Sequence, residues 1–78
     1  MPTAMRSAGF RFFFYSNEGD EPPHIHVERQ GSTAKFWLAP VESARSTGMS
    51  DVDMRRAHRL VMTNQEYLRE VWHEFFGS

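Results

Sequence analysis

Hydrophobic and polar positions alternate in the first half of the chain and recur with helical spacing in the second. The run Gly9-Phe-Arg-Phe-Phe-Phe-Tyr-Ser16 is too aromatic for a surface helix, and its β-propensity predicts a strand with Phe10, Phe12 and Phe14 on one face. Asn17 to Pro23 brings Asn, Gly, Asp and two prolines together, the chemistry of a loop. His24 to Arg29 alternates, Ile25 and Val27 on one face and His24, His26 and Glu28 on the other, which predicts a half-buried strand. Gln30-Gly31-Ser32 reads as a hairpin turn, and Thr33 to Leu38 as the antiparallel partner, with Phe36 and Trp37 on opposite faces. Pro40 interrupts this pattern. Val41 to Arg45 fits a short fourth edge strand or a single helical turn, and the strand is preferred.

Beyond Gly48 the period becomes helical. Ser50 and Asp53 form a capping-box-like start, with Asp51 and Asp53 at the positive end of the helix dipole. Met54, Ala57, Leu60, Val61, Asn64, Leu68, Val71, Trp72 and Phe75 then recur at three- and four-residue spacing, one apolar stripe running to Gly77. The expectation is a long C-terminal helix whose weak point is Thr63-Asn64, a pair of poor helix formers where a kink would fall. The fold class expected is α+β: a small antiparallel sheet of three to four strands, one face packed against that helix. No repeat or linker divides the chain, so residues 1–78 read as a single domain.

Composition tightens this picture. A chain of 78 residues buries only about 60% of its unfolded surface. Its eleven Phe, Trp and Tyr residues, each burying ~150–250 Å², are therefore expected to be committed mainly to packing. The formal net charge of −1 gives no whole-chain field toward nucleic acid or lipid, so such contacts need a local patch. The absence of cysteine removes disulfides, thiolate metal sites and thiol catalysis together. No apolar run approaches the ~20 residues of a membrane span, and Met1 to Ser7 lacks the apolar segment of a secretory signal, so a cytoplasmic protein with no membrane partner is expected.

Chemistry concentrates in Glu21-Pro-Pro-His-Ile-His-Val-Glu28. Strand alternation sets His24 and His26 on one face, ~6.5–7 Å apart, near enough to share a metal or a phosphate. A metal needs a further ligand, for which Glu28, Asp20, Glu21 and His73 are available, none with diagnostic spacing. The default is that the pair forms the solvent-facing half of an amphipathic strand; a macromolecular contact and a metal or catalytic site remain open. Trp72-His-Glu-Phe-Phe76 fails as a zinc-peptidase helix, because Gly77 stands where the second histidine belongs. Arg55, Arg56 and Arg59 beside His58 make the one basic patch, able to meet phosphates but equally able to pair with neighbouring acids on a solvated helix face. The aromatic strand lacks the glycines of an RNA-recognition signature and is read as core.

Taken together, Met-Pro-Thr, Gly9-Phe-Arg-Phe-Phe-Phe-Tyr-Ser16, Glu21-Pro-Pro-His-Ile-His-Val27, Ala34-Lys-Phe-Trp-Leu38 and Trp72-His-Glu-Phe-Phe-Gly77 resemble domain-of-unknown-function family 4160 over essentially the full length. The motif residues so matched are Tyr15, Pro22, Pro23, His24, His26, Val27, Trp37 and Trp72, whose roles the family leaves unassigned. The resemblance implies a short prokaryotic or phage-encoded domain, often beside a small protein of unknown-function family 2442, an arrangement suggesting a toxin–antitoxin or regulatory pair.

The leading expectation is a non-enzymatic interaction module that binds a small protein partner, or a second copy of itself, through the histidine-bearing sheet face or a strand edge. Binding residues would be His24, His26, Glu28, Arg55, Arg56 and Arg59. The competing expectation is a metal-independent ribonuclease-like toxin with His24 and His26 as acid and base and Arg11 or Arg29 stabilising the phosphorane. A DNA-binding regulator using the Arg55–Arg59 patch is a further alternative. No cofactor is expected, with a divalent metal at His24 and His26 left open.

Overall fold

The computed structural model describes residues 3–77. Five strands, β1 (Thr3–Ser7), β2 (Phe10–Phe13), β3 (His24–Arg29), β4 (Ser32–Leu38) and β5 (Val41–Thr47), precede two helices, α1 (Asp51–Thr63) and α2 (Gln65–Phe76). The strands form an antiparallel meander in chain order, β1-β2-β3-β4-β5. The α+β class is as expected, but the sheet has five strands rather than three to four. The added strand, β1, carries little apolar alternation; it pairs with β2 across Ala8-Gly9, both at positive φ. Gln30-Gly31 repeats that geometry between β3 and β4, at φ 49° and 83°, the left-handed pair that matches the twist of a two-residue hairpin. The strand preferred for Val41 to Arg45 is present and extends to Thr47, whereas the aromatic strand ends at Phe13, short of Ser16.

The single long helix expected at the C-terminus is instead two. Asn64 ends α1 and begins α2: its side-chain amide donates to the Leu60 carbonyl at 2.8 Å, and its backbone N–H bonds the same oxygen. A short polar side chain bonding back to the preceding turn competes with the helical ladder, which is why the break falls at the expected weak point. Ser50 caps α1 by accepting from the Asp53 N–H at 3.1 Å, and Gly77 closes α2 in the left-handed conformation.

Both helices lie on one face of the sheet. Phe10, Phe12 and Phe14 share the core with Ile25, Val27, Ala34, Phe36 and Leu38, and the helices add Ala57, Val61, Leu68 and Trp72. Phe75, expected in the helical stripe, is 46% exposed, and Phe76 packs against the core instead. Side chains of α2 tie the layers: Gln65 Nε2 donates to the Leu38 carbonyl at 2.6 Å and the Tyr67 hydroxyl to the Ala4 carbonyl at 2.9 Å. At the other end of α2, the Trp72 ring lies 6.0 Å from Phe14, 4.7 Å from His24 and 4.2 Å from Phe76, joining helix, β2 end and β3 start.

A domain of this size has roughly 4–12 kcal/mol of stability, so Trp72→Ala, which costs ~3–5 kcal/mol when a large buried ring is truncated, should remove a large share of it and lower the urea midpoint sharply. Ser50→Ala, losing a single cap, should cost about 1 kcal/mol. A Trp72→Ala midpoint no lower than that of Ser50→Ala would contradict this packing.

Candidate functional site

The site is built at the end of the sheet where residues 14–23 connect β2 to β3. Phe14 anchors the start of this segment among Trp72, Phe75 and Phe76. Gly19 lies so close to Phe76 that a Cβ there would stand 2.6 Å from the ring, so a side chain at this position would displace the turn. The Glu21 N–H bonds the Glu18 carbonyl at 3.2 Å, closing that turn, and Pro23 accepts from the Leu38 N–H at 3.1 Å. These contacts carry the Glu18 carboxylate back over the first residues of β3.

Glu18 Oε1 stands 2.9 Å from His24 Nε2 and 2.7 Å from His26 Nε2. One carboxylate oxygen thus faces both rings. His24 is fully buried and His26 is 7% exposed, so neither forms the solvent-facing half of a strand, the default their alternation suggests. Trp37 and Trp72 flank the His24 ring at 5.7 and 4.7 Å; Phe13 and Tyr15 flank His26 at 5.6 and 4.7 Å. His24 Nδ1 contacts the Pro22 carbonyl at 2.9 Å, which fixes the hydrogen on that nitrogen, since a carbonyl oxygen only accepts.

Burial alone would raise the Glu18 carboxyl, but the close polar contacts with the His24 and His26 rings outweigh it and hold the group below its ordinary value of 4.5. For His26 burial is the larger influence and lowers the imidazole below 6.5, against the opposing pull of Glu18. Next to this pair, Lys35 Nζ donates to Glu21 Oε1 at 2.7 Å, lowering the Glu21 carboxyl, and lies 4.6 Å over the Trp37 ring.

Glu18, which no spacing in the sequence singles out, takes the place expected of Glu28, Asp20, Glu21 or His73. Glu21 reaches only 3.9 Å from His24 Nδ1 and is engaged by Lys35. Glu28 pairs with Arg11 at 3.4 Å, Asp20 is exposed in the loop, and His73 is exposed on α2 beside Glu66, Arg69 and Glu70. The structure does not gather the arginines at the histidines. Arg11 lies over Phe13 at 4.3 Å. Arg29 is tied to the Ala8 carbonyl at 2.9 Å and to Asp53 at 3.5 Å, and stacks on Phe10 on the helical side of the sheet. Arg55, Arg56 and Arg59 are exposed on α1; Arg55 and Arg59 border a depression with His58, Met62 and Thr63. His58 itself stacks on Phe36 at 5.9 Å and reaches the Val41 carbonyl at 3.4 Å.

The sheet face away from the helices bears a second depression of about 330 Å³, lined by Phe13, Tyr15, His26, Thr33, Ala34, Lys35, Arg45 and Thr47. A larger one, about 520 Å³, lies between β5 and α1 among Phe36, Val41, Glu42, Met54, Arg55 and His58. Only the smaller depression touches the histidine cluster. Among the described residues no helix is long and apolar enough to cross a membrane.

A protein-family model described as "Domain of unknown function (DUF4160)" matches residues 9–73. No curated protein and no solved structure matches the chain.

The three lowered groups make the fold acid-sensitive. The unfolded chain takes up the His26 proton first, so stability is lost as pH falls below 6.5; the Glu18 and Glu21 contributions are present above 4.5 and are lost as pH falls through their folded values. The thermal midpoint should therefore decline as pH falls below 6.5 and again below 4.5, with Glu18→Gln reducing the second decline and leaving the part due to Glu21. A midpoint constant down to pH 4 would contradict these assignments.

Proposed function

Because the chain belongs to the DUF4160 family, a membership that leaves activity open, we propose that it is a non-enzymatic interaction module that receives an acidic segment of a small protein partner on the sheet face opposite the helices. The observation that carries this reading is the depression beside His26. Its lining includes Arg45, the rings of Phe13 and Tyr15, and Lys35, which the Glu21 carboxylate beside the depression engages at 2.7 Å, with no carboxylate in the lining itself. At about 330 Å³ it lies at the small end of binding clefts, suited to one or two side chains of a larger partner. Tyr15 is 38% exposed, an amphipathic ring of the kind that anchors interfaces. Carboxylates of a partner would meet Arg45 in the forked geometry that guanidinium favours.

Burial weighs against the ribonuclease alternative. His24 exposes no surface to a phosphodiester, Arg29 is held on the helical side, and acid–base catalysis needs groups within hydrogen-bond reach of the reacting atoms. The β5 edge supports strand addition less well, because it carries the devices that discourage it: a bulge between Ser43 and Arg45, and alternating charge at Glu42 and Arg45. Of the α1 arginines only Arg55 borders the larger depression, whose lining Glu42 shares, and the depression that Arg55 and Arg59 border together with His58, Met62 and Thr63 has no Tyr or Phe ring to anchor a partner.

Size exclusion with light scattering, of the protein alone and mixed with a small protein of unknown-function family 2442, the partner that the family resemblance implies, tests the proposal. The expected result is a complex that Arg45→Glu and Tyr15→Ala each weaken at least tenfold. A complex indifferent to both substitutions, or RNA cleavage by the wild type that His26→Ala removes, refutes it.

A further inference from the structure

We propose that Glu18, His24 and His26 bind one divalent transition-metal ion, as a two-histidine, one-carboxylate site. This goes beyond the partner-binding reading and does not rest on it. The three residues each offer one ligand atom, and these atoms lie within 4.8 Å of one another. Both histidines present Nε2 to the same oxygen, at 2.9 and 2.7 Å. Ligands bound at ~2.0–2.2 Å from Zn²⁺ stand roughly 3.0–3.4 Å apart, so accommodating an ion asks Glu18 to withdraw by about half an ångström and the two imidazoles to settle at a similar separation, within the freedom of side-chain torsions.

Hydrogen-bond accounting argues for the ion. The Pro22 carbonyl claims the His24 Nδ1 hydrogen, so in the neutral ring Nε2 is a lone pair aimed at a carboxylate oxygen 2.9 Å away. Two acceptors face each other in a ring with no access to water. A second ring proton or a cation between the two relieves that contact, and His26, the other neighbour of Glu18 Oε1, brings a second imidazole to the same point. A backbone carbonyl holding Nδ1–H so that Nε2 is free for the metal is also the usual outer support of a histidine ligand. Here that carbonyl belongs to Pro22, followed by Pro23, in a segment with restricted backbone freedom.

The donor set selects the class of ion. Two imidazoles and one carboxylate suit Zn²⁺ and its first-row neighbours rather than Mg²⁺ or Ca²⁺, which prefer oxygen. The aromatic walls formed by Trp37, Trp72, Phe13 and Tyr15 keep bulk water from competing for the ligands. The nearest cation, Lys35, has its charge met by Glu21 at 2.7 Å. An ion at this point bridges the loop carrying Glu18 to β3, so binding energy adds to folding stability.

The test uses metal-stripped full-length protein and Zn²⁺ alone, read by calorimetry and thermal melting, with Co²⁺ absorption and imidazole ¹⁵N chemical shifts as independent reporters. One equivalent of Zn²⁺ should bind at micromolar affinity or better and raise the melting temperature. The shifts of His24 and His26 Nε2 should move while those of His58 and His73 stay. Glu18→Gln, close in shape, and His26→Ala should each weaken Zn²⁺ at least tenfold; His73→Ala should not. If a substitution unfolds the chain, the wild-type ¹⁵N shifts decide alone. Binding weaker than millimolar, shifts confined to His58 or His73, or an affinity unchanged in folded Glu18→Gln overturns the proposal.

Discussion

The junction of Phe14, Trp72 and His24 holds the rest of the molecule in place. Elsewhere helices and sheet meet through Phe10, Phe12, Ile25, Val27, Phe36 and Leu38 packed with Ala57, Val61 and Leu68, and through side-chain hydrogen bonds from Gln65 and Tyr67 of α2. At the sheet end a helix, the first residue after β2, the first residue of β3 and the turn at Gly19 all converge on packed rings. The connection from β2 to β3 has no ladder of its own and takes its path from this stack. Small domains have few such layers, so a large ring spanning several elements contributes disproportionately to their stability.

Next to that junction lies a group that stability alone does not explain. Taking a carboxylate and two imidazoles out of water costs desolvation that their mutual attraction repays only with good geometry, and apolar residues of equal volume would commonly serve the fold as well or better. The cluster nonetheless has short contacts, a backbone carbonyl orienting one ring and aromatic walls on both. Prolines in the sequence immediately before the histidines and a glycine whose packing leaves no room for a side chain keep the carboxylate in place. Such an arrangement is costly to assemble, which is the ground for the ion site proposed there.

Period and composition made much of the architecture legible. Three aromatic residues at period two marked the buried face of β2, the Gln30-Gly31 turn marked the β3–β4 hairpin, and poor helix formers marked the break at Asn64. β1 was not legible, because Thr3–Ser7 lacks apolar alternation and its pairing follows from a turn without an Asn-Gly signal. The two histidines stood out by alternation, yet their burial did not, because alternation assigns a face without saying what covers it. Loop residues cover part of this one. Glu18 was the hardest to see: a carboxylate six residues from His24 acquires its role only when residues 14–23 fold back, and a loop's path is set by distant packing, here by Phe14 and Gly19 against α2.

The same loop links the buried cluster to the open face. Glu18 and Glu21 belong to one turn, closed by the backbone bond between them. Glu18 holds both histidines, whereas Glu21 holds Lys35, which lines the depression and lies over Trp37. Trp37 in turn packs against His24. With Glu21 seated, the charge that Lys35 brings to the depression is met by a carboxylate of the same turn that carries Glu18 to the histidines. An ion proposed at the cluster and a partner proposed on the face would therefore meet at this one turn.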